Sequence, residues 1–324
     1  MTDGIGASMD MRVTSLLCCP MCRGPLQLCS DGRYYLKCEN CCASYPALNE
    51  TPVLFRSDNS AFQADAYLQA GPALGQRKRS LGWLVPKRST NMCRERILSA
   101  MRARLDEMGS AKILVVGSGG QRTDLSRVLL TGKKHLLIFC DVDVSADVDI
   151  FCDAHDLPFA DNSFDAVITT AVLEHVITPM RVAEEIYRVV KIDGLLYSEL
   201  PFMQQVHEGA YDFTRYTLSG HRGLFRQFEA IDSGLVSGPA TALAWSLEAF
   251  ATSFFGRNAF RKAATFAVRV CFFWLKYLDY VVRRNPAAMD GASCTFIFGR
   301  KIASPLSDAE IVASYVGAIK LAHV

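Results

Sequence analysis

Apolar residues in the middle of this chain fall in short, nearly unbroken blocks. Ile113-Leu-Val-Val116, His135-Leu-Leu-Ile-Phe-Cys-Asp141, Phe164-Asp-Ala-Val-Ile168 and Leu195-Leu-Tyr-Ser-Glu-Leu200 are each of strand length, with glycine-bearing or polar segments between them. Such blocks read as strands buried on both faces, as in parallel sheets flanked by helices. A helix is predicted to start near Thr123-Asp124. Another follows Leu173-Glu-His-Val176 and carries Ala183, Ile186, Tyr187 and Val190 on its apolar face. Ile192-Asp-Gly194 reads as a turn, and Phe228–Gly234 and Cys294–Gly299 as two later strands. Strands alternating with helices predict a doubly wound α/β fold.

The first strand breaks into Gly117-Ser118-Gly119-Gly120 just before a helix. Strand, tight turn and helix N-terminus together can cradle a nucleotide-like ligand, and Gly117 and Gly119 would let the backbone approach it without a Cβ in the way. The glycines do not make a full dinucleotide fingerprint, so an ordinary strand–turn–helix corner explains the turn equally well. The second strand ends in Asp141, about 20 residues further on, where such folds place an acid for ribose hydroxyls.

With 324 residues, half of them apolar and a net charge of +2, the composition is that of a soluble globular chain with room for one large and one small domain. Net charge gives no pointer to nucleic acid. Met1 to Met11 lacks the apolar core of a signal peptide, so a cytoplasmic protein is expected.

Seven of the twelve cysteines lie between Cys18 and Cys42, a clustering that in a reducing compartment favours metal over disulfides. Cys19/Cys22 and Cys38/Cys41 form two C-x-x-C pairs with fifteen residues between them. Each pair can bite a tetrahedral Zn²⁺ from a tight turn, and the spacer suits a β-hairpin. Cys18 or Cys42 would enter only by a one-residue slip, and the matched spacing favours the inner set. Four thiolates leave no open position, so this zinc is expected to be structural.

Between residues 77 and 104 there are nine cations against one acid, Glu95. They suit either a phosphate-facing surface or a solvated linker with one face of a helix over Arg94–Met108. Residues 241–284 form an apolar insertion, predicted to hold one long helix from 257 to 284. Lys262, Arg269, Lys276 and Arg283 recur every seven residues along it, a basic stripe drifting only ~20° per step. Its longest uncharged run is six residues, too short to span a membrane. The stripe fits a helix lying on an anionic membrane, a lid on the core, or a dimer contact.

The glycine turn, Asp141, Asp153-Ala-His-Asp-Leu-Pro-Phe159, Asp161-Asn-Ser-Phe-Asp-Ala-Val167 and Leu173-Glu-His175 together resemble the class I S-adenosylmethionine-dependent methyltransferases, in the type 11-like branch. The likeness covers roughly residues 110 to 235 and a last strand near 295. It implies a Rossmann-like, seven-stranded sheet. It also implies S-adenosylmethionine as cofactor, with Gly117, Ser118 and Gly119 at the methionine moiety, Asp141 at the ribose, and Asp153 and Ala154 at the adenine. Val115 stands where family members often carry an acid. The cysteine segment and its tail, Tyr45-Pro-Ala-Leu-Asn-Glu-Thr-Pro-Val-Leu-Phe55, resemble zinc ribbons that accompany or activate methyltransferases. The expected organisation is a ribbon at 1–56, a basic linker and helix at 57–110, a methyltransferase domain at 111–302 containing the 241–284 insertion, and a tail helix at 303–324.

Pro201-Phe-Met-Gln-Gln-Val-His-Glu-Gly-Ala-Tyr-Asp-Phe-Thr-Arg-Tyr-Thr217 resembles a segment of one methyltransferase subgroup. Tyr211, Asp212 and Arg215 are read as an acceptor wall, with Arg215 able to hold an anion; alternatively Asp212 and Arg215 cap the helix beginning near Thr217. His207 is the first candidate base and His175 the second. The expected activity is methyl transfer to an oxygen or nitrogen of a small-molecule, glycan or lipid-linked acceptor, with peripheral membrane contact through 257–284 as a further expectation. Two alternatives are an RNA base methyltransferase using the ribbon and linker, and a non-catalytic partner-binding protein, which Val115 encourages.

Overall fold

The structure, a computed structural model, describes residues 11–32, 34–70, 85–131, 135–256 and 259–319. The chain divides into two compact units. Met1–Arg77, Met101–Thr169 and Thr178–Leu195 form the first; Lys78–Ala100, Thr170–Ile177 and Leu196–Val324 form the second. Arg77, Lys78 and Arg79 of the basic run lie outside the described residues.

The first unit opens on the cysteine hairpin. Strands β1 (Leu26–Ser30), β2 (Tyr34–Cys38), β3 (Ser44–Leu48) and β4 (Thr51–Pro52) form an antiparallel sheet in that order. β2 buries Leu36 and Cys38 and exposes Lys37 between them, the period of two expected of a strand covered on one face. The strands β5 (Lys112–Val116), β6 (Leu136–Asp141), β7 (Ile150–Phe151) and β8 (Phe164–Thr170) follow. β5 pairs in parallel with β6 and β8, and β6 with β7. Ile113 through Val116 are buried, as their unbroken apolar sequence predicts. β7 is new: two residues inside Val-Asp-Ile-Phe carry no periodic signal. The ribbon's tail packs on it. Leu48, Val53 and Phe55 share a core with Tyr67, Val148 and Phe151, and Leu54 N–H donates to the Phe151 carbonyl at 2.8 Å.

β9 (Val190–Pro201) replaces the turn expected at Ile192–Gly194. The turn chemistry survives inside the strand: Asp193 has φ of 63°, and a Cβ on Gly194 would lie 2.7 Å from Val190 and 2.8 Å from the Lys191 carbonyl. With β10 (Phe228–Ser237) and β11 (Cys294–Lys301), seven strands hydrogen-bond in the order β10-β11-β9-β8-β5-β6-β7. β10 and β11 are antiparallel. This is the expected Rossmann-like α/β class, with the helical insertion before the last strand.

Within the second unit the insertion is not one long helix. Pro239–Ser253, Ala259–Phe272 and Leu275–Val282 are separate, and the chain turns at Phe273-Trp274. The basic stripe is broken too. Arg269 pairs with buried Glu248 at 2.9 Å, and Lys276 is buried with its ammonium on the Lys87 carbonyl at 2.8 Å. Only Lys262 and Arg283 of the four remain exposed. Asp279 is 1% exposed and accepts from Gly238 N, Ala240 N and Thr241 N, so it caps the helix that begins at Pro239. No helix among the described residues is long and apolar enough to cross a membrane.

His221 is fully buried between the Ser198 hydroxyl at 2.9 Å and the Thr295 hydroxyl at 3.2 Å. Burial pushes its pKa down to about 3. Because the unfolded chain binds this proton near pH 6.5 and the folded chain does not, the residue subtracts stability as pH falls from about 6.5 towards 3, with a limiting slope of ~1.4 kcal/mol per pH unit. His221→Gln should therefore flatten the dependence of denaturant stability on pH between about 6 and 4. An unchanged slope would place the ring's proton elsewhere.

Candidate active site

The four predicted thiols converge. The Sγ atoms of Cys19, Cys22, Cys38 and Cys41 lie within 4.8 Å of one another, with Cys19–Cys41 at 3.6 Å and Cys22–Cys38 at 3.4 Å. Four sulfurs around one Zn²⁺ at its usual bond length would be ~3.8 Å apart. Each C-x-x-C is followed by a left-handed residue, Arg23 at φ 62° and Cys42 at φ 60°. Cys42 is thus the counterpart of Arg23 at the end of a knuckle, not a fifth thiol. Cys18 is not among the converging thiols; its N–H donates to the Pro158 carbonyl at 2.9 Å, and burial pushes its thiol pKa up.

Arg23 carries the ribbon to the loop after β7. It donates to the Leu157 carbonyl at 2.8 Å and to Glu185 at 2.9 Å, and Glu185 in turn accepts from Leu157 N at 2.9 Å. That loop holds Asp153 and Ala154, both 8% exposed. Asp153 accepts from His155 N at 3.0 Å and is 2.6 Å from the His155 ring, and Asn59 donates to its other oxygen at 2.8 Å. Burial alone would raise its pKa; the bonds from His155 outweigh that and hold it below the usual carboxylate range. Sequence reading did not single out Asn59 or His155, because neither belongs to a spaced pattern.

The glycine turn lies in the same unit. Gly117 and Gly119 have φ of 65° and 49°, a region costly for residues with a Cβ. Nothing approaches within 4 Å of where a Gly119 Cβ would sit. Gly119 N donates to Asp141 Oδ2 at 2.7 Å, and Asp143 N to Oδ1 at 2.9 Å. Asp141 therefore ties the end of β6 to the turn after β5. Ser118 is fully buried, and its hydroxyl has no hydrogen-bond partner. Val115, where an acid was noted as missing, is 2% exposed in the β5 core.

In the second unit His175 and His207 come together, their ring centroids 4.9 Å apart at 83°. His175 Nδ1 is 2.7 Å from the Tyr211 carbonyl, and His207 Nδ1 is 3.2 Å from the Gln205 carbonyl. Burial pushes the His207 pKa down. Asp212 accepts His207 N at 2.9 Å and pairs with Arg215 at 2.8 Å; the guanidinium holds its carboxyl far below the usual range. Besides both Asp212 oxygens, Arg215 donates to the carbonyls of Gln204 at 3.0 Å, Thr214 at 2.7 Å and Gln205 at 3.2 Å. These occupy all five guanidinium donors, so Arg215 fastens the 204–215 loop and has none left for an anion. Nor does the pair cap the next helix: Thr217 does, accepting Gly220 N at 3.1 Å. Tyr211 is 56% exposed.

Among the linker cations, Arg88 meets Glu248 at 3.4 Å, Arg102 meets Asp106 at 3.4 Å, and Arg96 pairs with Asp232. These pairs reduce the charge left to face phosphates.

A family described as a methyltransferase domain matches residues 126–198. A UPF0434 protein of Ectopseudomonas mendocina is 33% identical over 60 residues, which is 18% of this chain and 97% of that protein. Solved structures with a similar chain path include the [4+2]-cyclase SpnF (21% identity, 65% of this chain and 81% of that one, TM-score 0.40). Phosphoethanolamine N-methyltransferase 2 of Haemonchus contortus, in complex with S-adenosyl-L-methionine, is another (16%, 62% and 52%, TM-score 0.38). The YcgJ protein of Bacillus subtilis is a third (15%, 64% and 99%, TM-score 0.39). Residues 126–198 therefore carry a methyltransferase domain, set in the seven-stranded sheet, and over 60 of its residues the chain belongs to the UPF0434 proteins.

Proposed function

We propose that this chain transfers a methyl group from S-adenosylmethionine to an oxygen or nitrogen of a small-molecule, glycan or lipid-linked acceptor. The carrying observation is the turn from β5: two left-handed glycines, open space beside Gly119, and Asp141 bonded to the Gly119 amide. The buried, unpartnered Ser118 hydroxyl suits a polar ligand group there. Gly117, Ser118 and Gly119 would line the methionine end, Asp141 would accept ribose hydroxyls, and Asp153 with Ala154 would border the adenine. When bound, S-adenosylmethionine supplies an activated methyl on a sulfonium. The protein's task is then to align a nucleophile with it, and positioning can supply most of the acceleration.

His207, and second His175, would take the proton that an acceptor gives up. Each has Nδ1 committed to a carbonyl, so Nε2 is the atom available. Tyr211 would form part of the acceptor wall, with Asp212 and Arg215 holding the loop behind it. A Zn²⁺ held by Cys19, Cys22, Cys38 and Cys41 would be structural, since the shell closes with four thiolates.

Calorimetry with S-adenosylmethionine and S-adenosylhomocysteine tests the reading. Binding is expected at micromolar dissociation constants, about −8 kcal/mol. Absence of binding at millimolar ligand would sink the enzyme reading and bring forward a partner-binding protein that keeps the fold.

A further inference from the structure

Glu174 is the least comfortable side chain in the second unit. It is 1% exposed, and neither carboxylate oxygen has a hydrogen-bond partner. An unpaired buried carboxylate costs several kcal/mol, so something is expected to meet it. Two imidazole nitrogens lie close to it: His175 Nε2 at 3.6 Å and His207 Nε2 at 3.9 Å from Glu174 Oε1.

The protonation of those rings follows from their other nitrogens. A backbone carbonyl can only accept, so the 2.7 Å contact of His175 Nδ1 with Tyr211 O and the 3.2 Å contact of His207 Nδ1 with Gln205 O place the proton on Nδ1 in both rings. In the neutral rings Nε2 is then a bare lone pair on each. Two lone pairs and a carboxyl group thus converge. Their ligand atoms all lie within 4.8 Å of one another.

We propose that Glu174, His175 and His207 form a binding site for a divalent transition-metal cation, distinct from the four-cysteine cluster. One carboxylate and two imidazoles suit Zn²⁺, Mn²⁺, Fe²⁺ or Co²⁺, and three protein ligands leave coordination positions open. The Nδ1–carbonyl bonds are the supporting contacts that metal-bound histidines ordinarily make. His207 is held further by its own N–H on Asp212, which Arg215 clamps at 2.8 Å. Both imidazole side chains are 20% exposed, so the site can be reached from solvent.

Its ligand class follows from the open positions. An acceptor offering oxygen, such as a hydroxyl or a pair of neighbouring hydroxyls, would bind the cation and lose its proton more easily there. That part rests on the methyl-transfer reading; the cation site itself does not. With the cation bound, the two Nε2 atoms are ligands, and acidifying the acceptor passes from the histidines to the metal.

The test is titration of Co²⁺ into the full-length, zinc-replete protein. Expected is one Co²⁺ per chain beyond the ribbon's zinc, with a visible d–d band and no thiolate-to-cobalt charge transfer. Glu174→Gln, and separately His207→Asn, should each weaken this binding by about tenfold or more while the zinc content stays at one. Two chemically different variants, each checked by zinc content and melting, guard against one simply failing to fold. The proposal is overturned if no second equivalent binds at about 1 mM Co²⁺, if thiolate charge transfer shows that only the ribbon exchanged, or if folded variants bind as the parent does. S-adenosylmethionine titrations run beside it separate the two claims. Cobalt binding without that cofactor leaves the metal site standing and removes the methyl-transfer reading.

Discussion

Replacing Cys38 with Ala is expected to release the ribbon's metal, lower the melting temperature by about 10 °C or more, and weaken S-adenosylmethionine binding. Cys38 is 1% exposed at the end of β2, with its sulfur 3.4 Å from that of Cys22. Structural Zn²⁺ sites are worth an apparent ~10–16 kcal/mol, most of it expressed as folding free energy, and three thiolates would not retain the ion as well as four. The effect should pass beyond the ribbon because the ribbon is bonded into the first unit. Arg23 holds Leu157 and Glu185, Cys18 N holds the Pro158 carbonyl, and Leu54 N holds Phe151. Just past the ribbon, Asn59 holds Asp153. All of these brace the segment carrying Asp153 and Ala154, so loosening the ribbon frees the proposed adenine border. The measurements are metal content, melting, and calorimetry with S-adenosylmethionine. If metal is lost while cofactor affinity is unchanged, the ribbon is an appendage with no hold on the site.

The sheet was legible because its central strands are buried on both faces and so need unbroken apolar runs; β5, β6 and β8 stand where those runs lie. β7 was not legible, since two residues flanked by aspartates give no pattern. The turn assigned to Ile192–Gly194 failed for a different reason. Asp-Gly does mark a left-handed residue, as the φ of 63° at Asp193 shows, but a local φ does not say whether the ladder continues. Long-range partners were the larger gap. A stripe of cations every seven residues says nothing of Glu248, which neutralises Arg269, or of the Lys87 carbonyl, which takes Lys276. The cysteine set was readable because ligand spacing is itself the geometry. The role suggested for Arg215 was not, because carbonyl acceptors carry no sequence signature and they use up its donors. Glu174 was passed over for the same reason: its isolation is a property of packing.

Asp141→Ala should weaken S-adenosylmethionine binding by about 100-fold or more, while Asp141→Asn should lie between it and the parent. Two losses add in the alanine variant. The first is the 2.7 Å bond from Gly119 N, which pins the glycine turn at φ 49° against the end of β6; without it the turn must be ordered when ligand binds, at a cost in conformational entropy. The second is the pair of carboxylate oxygens that ribose hydroxyls would meet. Hydrogen bonds to charged groups are worth about 1.5–3 kcal/mol each, and ~2.7 kcal/mol is a hundredfold in dissociation constant. Asparagine keeps one carbonyl oxygen for either the turn or the ligand but not both, which is why it should fall between. Asp141 is part-exposed at the strand's end and outside the hydrophobic core, so melting should shift far less than for Cys38→Ala, and that contrast separates lost binding from lost folding. An alanine variant that melts like the parent and binds within threefold of it would place the ribose elsewhere and leave Asp141 as a brace for the turn alone.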